Sequence, residues 1–196
     1  MNEEEGMHQS TRKEVWEPET QAAVVQRLDA IEQTLNRAID VLSGKIEALF
    51  SIFSIIHLRH PLPAMGHWAV SPDFARILVD VILDRKPGLI LELGSGVSTL
   101  LCGYCLERNG HGKIVSVEHE DQFVRATEEN VRKHRLDRFV RVIHAPLRDI
   151  TLSKRSYSWY NKGSFVDEIG AQKVDILIVD GPPAKIGADV DLDRIP

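Results

Sequence analysis

The chain predicts an α/β fold with a parallel sheet covered by helices on both faces, preceded by a long N-terminal helix. Three observations carry that prediction. Short runs that are apolar almost throughout, at 89–93, 113–118, 139–144 and 174–179, alternate with helical segments at about 98–108 and 122–134. Strands buried on both faces have that composition, whereas half-exposed strands alternate apolar with polar residues. The first run empties into a glycine turn, Gly94-Ser95-Gly96, which opens a helix. Two of the runs end in an acid, Glu118 and Asp180, at the carboxyl edge where open α/β sheets bind their ligands.

Upstream of the sheet, residues 1–20 read as a disordered tail rich in Glu, Gln, Ser and Thr. Residues 21–60 read as one long amphipathic helix. Its apolar positions are Val24, Leu28, Ile31, Leu35, Ile39, Leu42, Ile46, Leu49, Phe53 and Ile56, mostly spaced by alternating fours and threes. The successive four-residue steps Ile31–Leu35–Ile39 form a stutter, which loosens a left-handed supercoil locally. A small domain cannot bury so long a stripe along its whole length, so residues 21–58 are candidates for a coiled coil between copies of the chain. Packing on the chain's own domain is the alternative. Two prolines and a glycine at 61–66 stop the helix, and residues 61–196 form the α/β domain. Ser71 and Pro72 then start a second helix as N-cap and first helical residue. Its inner stripe is read as Phe74, Ile77, Leu78, Val81 and Ile82, and Pro87-Gly88 ends it. Residues 147–172, which include Tyr157, Trp159 and Tyr160, read as an irregular connection.

Composition narrows the functional classes. The chain has 196 residues, 43% apolar and 27% charged, the profile of one globular domain and an appendage. A net charge of -5 argues against a nucleic-acid binder, which needs a basic surface to displace counterions from phosphates. The run Arg132-Lys133-His134-Arg135, followed by Arg138 and Arg141, is the local exception and reads as a solvated helix face and exit loop. Neither a signal peptide nor a run of about 18 apolar residues is present, so a cytoplasmic protein with no membrane partner is expected. Cys102-Gly103-Tyr104-Cys105 begins well inside a helix, whereas a reactive thiolate favours a helix N-terminus. The pair reads as two small apolar residues. The histidines, His57, His60 and His67 included, form no convincing ligand set, and no metal is expected.

The segment around the glycine turn is the most informative. Gly94 and Gly96 let the backbone turn tightly and approach a ligand, and the following helix presents unpaired amides to an anion. A dinucleotide site wants a third glycine where this chain has Thr99. Glu92, two residues before the first glycine, is read as pointing into the same crevice. A carboxylate there repels a pyrophosphate and suits a ligand bearing an ammonium and a sulfonium. Glu118, about 20 residues beyond the turn, stands where a ribose diol needs an acceptor. Asp180 leaves the sheet just before Gly181-Pro182-Pro183, which bend the chain across the mouth of the site.

Glu92-Leu93-Gly94-Ser95-Gly96 resembles the first motif, Glu/Asp-x-Gly-x-Gly, of the class I S-adenosylmethionine-dependent methyltransferases. That resemblance implies a Rossmann-like domain, with S-adenosylmethionine as cofactor. It implies a cofactor pocket of Glu92, Leu93, Gly94, Ser95, Gly96 and Ser98, with Glu118 and His119 at the ribose. At the third strand end, Ala145 and Pro146 offer only backbone and apolar contact to an adenine; His144 either faces the adenine or is structural. Together with Asp180-Gly181-Pro182-Pro183 the pattern resembles a subgroup whose members include enzymes acting on hydroxyls of sugars or small molecules. The methyl acceptor implied is a small molecule or glycan. Asp180 is the candidate base or substrate-positioning acid, a turn-capping role being its alternative, and His67 is a distant second base. Trp159 and Tyr160 either close over the ligand or pin their loop.

The family fold has seven strands, and four are legible here. The fourth would be an open apolar edge, a form that natural proteins avoid. The expectation is a fragment, a truncated product, or a protomer whose edge a partner covers. Two other classes stay open: a non-catalytic cofactor-binding or oligomerisation module, and an NAD-dependent oxidoreductase, which Glu92 and Thr99 disfavour.

Overall fold

A computed structural model of the chain describes residues 18–65, 69–152 and 155–182. Most of the expected tail, His67 and Pro183 lie outside the described residues. The chain divides into two units, residues 1–43 and 44–196. In the first unit the described structure is the N-terminal part of helix α1 (Pro18–Ile55). Every residue from Thr20 to Ser43 is exposed, the apolar stripe included.

The second unit is built on a parallel sheet of β1 (Leu89–Leu93), β2 (Lys113–Glu118), β3 (Val140–His144) and β6 (Ile176–Val179), in the order β3-β2-β1-β6. Helices α2 (Pro72–Arg85), α3 (Val97–Asn109) and α4 (Asp121–Lys133) connect or precede these strands. Side chains alternate across a strand, so Ile90, Ile114, Val140, Val142 and Ile178 face one core. The helices close that core with Ala75, Leu78, Val79 and Ile82 of α2, Leu100 and Leu101 of α3, and Val124 and Val131 of α4. Ala48, Ile52 and Ile56 are also buried in this unit. The buried face at the C-terminal end of α1 is thus offset from the expected stripe: it shares only Ile56 with it, while Phe53 is exposed and Leu49 half-buried.

Three features depart from the sequence reading. The buried stripe of α2 runs through Ala75, Leu78, Val79 and Ile82, whereas Phe74, Ile77 and Val81 are exposed. An alanine drops out of a search for large apolar residues, yet a small residue is what close helix packing requires at that point. The supposedly irregular stretch contains an antiparallel hairpin, β4 (Leu147–Leu152) and β5 (Arg155–Tyr160). With the one-turn helix α5 (Val166–Ile169) it covers the second sheet face, where Leu89, Leu93, Val115 and Val117 meet Tyr160, Trp159, Phe165 and Ile169. Finally, His134 leaves the solvated basic run and is buried, its Nδ1 2.7 Å from the Tyr104 hydroxyl.

Around that histidine the segment after α1 is fastened to the domain. Arg59 donates its backbone N–H to the Tyr104 hydroxyl (2.9 Å), one guanidinium nitrogen to the His134 carbonyl (2.9 Å), and the other to both Glu107 oxygens (2.7 and 2.8 Å). This fastening places Pro63 and Ala64 at the wall of the cavity described below. Cys102 and Cys105 are both buried, and burial pushes the Cys105 thiol up to about 12 and the Cys102 thiol up as well. Neither is a nucleophile.

The corrected α2 face has a direct check. Ile82 is 0% exposed and Ile77 is 51% exposed. Ile82→Ala is expected to cost about 2–5 kcal/mol of unfolding free energy in urea, and Ile77→Ala under about 1 kcal/mol. Equal losses would restore the stripe read from the sequence.

Candidate functional site

The carboxyl edge of the sheet is aligned by backbone pairing that continues past the strand ends. Gly94 N donates to Val117 O (2.8 Å), Ala145 N to Glu118 O (2.7 Å) and Asp180 N to Leu93 O (2.8 Å). The glycine turn, Glu118, Ala145 and Asp180 thereby come to one rim. Gly94 has φ 109°, and a Cβ there would meet the Asp180 carbonyl carbon and oxygen at 3.3 Å. Only glycine serves at that position. A Cβ on Gly181 would come within 2.5 Å of the Tyr160 hydroxyl oxygen, so the turn after β6 lies directly against the end of the hairpin.

Over this rim lies a cavity of about 640 Å³. Of the residues singled out from the sequence, its wall contains Gly94, Ser95, Gly96, Ser98, Glu118, His119 and Asp180. Glu92, Leu93 and Ala145 are not in the wall; all three are buried behind it. Leu93 belongs to the core of the second sheet face, as does Ala145, and what each offers the rim is backbone.

The position of Glu92 corrects the reading that it points into the crevice. Ile90 faces the helical layer, so two residues on Glu92 does too. It is 0% exposed, and its Oε2 accepts from the Thr99 hydroxyl at 2.5 Å. Thr99 Oγ1 in turn accepts from Gly96 N (3.0 Å) and lies 3.2 Å from Ser116 Oγ, which donates to Gly94 O (3.0 Å). The carboxyl thus stands under the turn and braces Gly96 through the Thr99 hydroxyl, while the Ser116 hydroxyl beside it holds Gly94. Burial pushes the Glu92 carboxyl up to about 7, against the opposing pull of the neighbouring Ser98, Thr99 and Ser116 hydroxyls, and the Asp180 charge raises it further. Its Oε1 is buried and makes no hydrogen bond.

Glu118 holds the other half of the turn. Its Oε2 accepts from Ser95 N and Ser95 Oγ, both at 3.2 Å, and its Oε1 from His119 N (2.7 Å) and Glu120 N (3.1 Å). His119 Nδ1 lies 2.8 Å from Oε1 without the alignment of a hydrogen bond, and its ring stands edge-on to Tyr160 at 5.9 Å. Ser95 Oγ has a second partner, Thr127 Oγ1 at 3.0 Å.

Several wall residues escaped the sequence reading. Phe123, Ala126, Thr127 and Asn130 come from one face of α4, and Pro63, Ala64, Ala69 and Val70 from the segment before α2. The α4 set was detectable, because positions separated by three, four and seven residues share a helix face. For Tyr160 the sequence leaves two roles, closing over a ligand or pinning its loop. It lies in the cavity wall and in the second core at once. His144 is exposed, its Nε2 3.1 Å from His119 O. Among the described residues no group of three His, Cys, Asp or Glu is placed to hold a metal ion.

The buried acid has a signature in stability. Between the usual 4.5 and about 7, Glu92 is protonated in the folded chain and ionised in the unfolded one. Its contribution to stability is complete below that window and is lost as pH rises through it. The wild type should therefore lose up to roughly 3 kcal/mol relative to Glu92→Gln across the window in urea titrations. Parallel curves for the two proteins would contradict the assignment. Thr99→Val leaves Gly96 N–H and Glu92 without a shared partner and should cost about 1–3 kcal/mol.

Residues 91–195, more than half of the chain, match the family described as methyltransferase domain. No curated protein matches. Among solved structures, a Podospora anserina methyltransferase with bound SAH is 19% identical, with 76% of this chain and 58% of that one covered at a TM-score of 0.50. An O-methyltransferase from Bacillus cereus in complex with SAH is 21% identical, with 78% and 60% covered at 0.44. The O-methyltransferase TomG from Streptomyces achromogenes, in complex with SAM, is 19% identical, with 60% and 47% covered at 0.44. The chain spans less than two thirds of the length of each of these proteins. Because that family match covers more than half of the chain, the chain belongs to the methyltransferase-domain family.

Proposed function

We propose that the chain binds S-adenosylmethionine at the sheet rim and takes part in methylating a hydroxyl of a small molecule or glycan. The observation that carries this reading is a cavity of about 640 Å³ whose wall joins the glycine turn, Glu118 and Asp180. That volume lies within the range of small-molecule sites, about 300–1,000 Å³. The fit of the cofactor is supported by three features. Gly94 and Gly96 leave the backbone bare, and the first amides of α3 favour a carboxylate. The buried carboxyl of Glu92 lies immediately behind the turn, where a cation lowers the cost of ionising it. Glu118 ends β2 with its carboxylate at the wall, and Ser95 Oγ can turn to Thr127 and release Oε2 for a ribose hydroxyl.

When bound, S-adenosylmethionine supplies a methyl group activated on a sulfonium. The chain's own residues contribute position and proton transfer. Holding the reactants in line is worth roughly 7–11 kcal/mol. Asp180 is held at the rim by its backbone bond to Leu93 and is the candidate to take the proton of an attacking hydroxyl. Membership in the Asp-Gly-Pro-Pro subgroup, self-association through residues 21–58 and a cytoplasmic location belong to the same proposal. No helix among the described residues is long and apolar enough to cross a membrane.

A second reading, a module that no longer binds cofactor, is favoured by the hydrogen bonds that both Glu118 oxygens already accept from the protein. An NAD site is disfavoured because Thr99 occupies the third-glycine position and its hydroxyl is committed to Gly96 and Glu92. Calorimetric titration separates the three. Saturable binding of S-adenosylhomocysteine in the micromolar range, with no heat from NAD, is the expected outcome. Glu118→Ala should weaken that binding about tenfold to a hundredfold. Asp180→Asn should leave it unchanged while slowing transfer to a hydroxyl acceptor by about 10²–10⁴. No heat from either ligand would favour the module, and binding of NAD alone would overturn the proposal.

A further inference from the structure

The N-terminal part of α1 exposes an apolar seam that nothing in its own unit covers. Val24, Leu28, Ile31, Leu35, Ile39 and Leu42 are 40–62% exposed, and Ile46 is exposed too. Helices in proteins owe most of their stability to packing an amphipathic face, and contiguous exposed apolar surface marks an interaction site. Beyond this point the stripe loses its even exposure: Leu49 is half-buried and Ile56 is buried in the second unit, beside Ala48 and Ile52 of the neighbouring helix face. The part left for a partner is therefore 24–46, shorter than the 21–58 read from the sequence.

Spacing and charge identify the partner and its direction. Val24–Leu28–Ile31–Leu35 follows the four-three-four rhythm of a coiled-coil seam, with Leu28 and Leu35 at position a and Val24 and Ile31 at position d. Arg27 then falls at g and Glu32 at the following e. In parallel, in-register helices the g position of one chain lies beside the next e position of the other. Arg27 of each copy thus meets Glu32 of the other, twice across a symmetric pair. An antiparallel pair sets g against g and e against e, and leaves these opposite charges apart. Beyond Leu35 the stutter moves the seam onto Ile39, Leu42 and Ile46, in place of Ala38 and Lys45. We infer that residues 24–46 form a parallel, in-register interface with a second copy of this chain. This narrows the self-association proposed above and rests on it, whereas cofactor binding is independent of it.

The test uses the full chain. Val24→Cys under mild oxidation should give a disulfide-linked dimer, since the native thiols of Cys102 and Cys105 are buried. In sedimentation equilibrium the wild type should self-associate and Leu35→Asp should be monomeric, with the urea unfolding of its domain unchanged. Arg27→Glu and Glu32→Arg should each weaken association about tenfold, and the double variant should recover it. A monomeric wild type would overturn both this inference and the self-association behind it. Association without a Val24→Cys cross-link, or without recovery in the double variant, would overturn the parallel register alone. Titration with S-adenosylhomocysteine reads the cofactor proposal separately in every case.

Discussion

The rim of this domain depends on backbone pairing that outlasts the strands. Three amides, those of Gly94, Ala145 and Asp180, each reach a carbonyl of the neighbouring strand at 2.7–2.8 Å. Because the strands are parallel and in step, with Leu93 beside both Val117 and Val179, their ends finish at one level. Groups that are distant in sequence are thus brought together by the register alone. The side chains only have to be of the right kind at the right strand end.

Beneath the rim, a buried acid does a structural task that its place in the motif does not announce. Glu92 lies on the helix-facing side of β1, and its link to the glycine turn passes through Thr99, with Ser116 holding Gly94 alongside. A hydrogen bond in so dry a place is strong, and a missing one is costly. The raised Glu92 carboxyl reflects both facts: three hydroxyl groups support the charge, and burial outweighs them. A cation bound above the turn would tip that balance toward the ionised form, which links the brace to the proposed ligand.

Much of this was legible in the residues. The apolar runs and glycine turn pointed to the parallel sheet, and the acids ending β2 and β6 do line the cavity. The misses have physical causes. Glu92 was placed in the crevice because the motif was read along the chain, when the two-residue alternation from Ile90 already turned it toward α3. Thr99 was read as the absence of a glycine, and its hydroxyl turned out to be the link between turn and acid. The hairpin was passed over although Ser156-Tyr157-Ser158-Trp159 alternates polar with aromatic, as a strand with one covered face does. The stripe of α2 was misdrawn because Ala75 is small. The fastening of Arg59 to Glu107 and His134 spans many residues in sequence and leaves no local pattern to read.

The central claim is that the rim receives a positively charged methyl donor with Glu118 at its ribose. A crystal structure with S-adenosylhomocysteine examines it most directly. The account predicts ligand over Gly94–Gly96, a Glu118 oxygen on the ribose hydroxyls, and Ser95 Oγ turned to Thr127. Ligand bound elsewhere, or over the turn with Ser95 Oγ still on Glu118 and the ribose unheld, would contradict it.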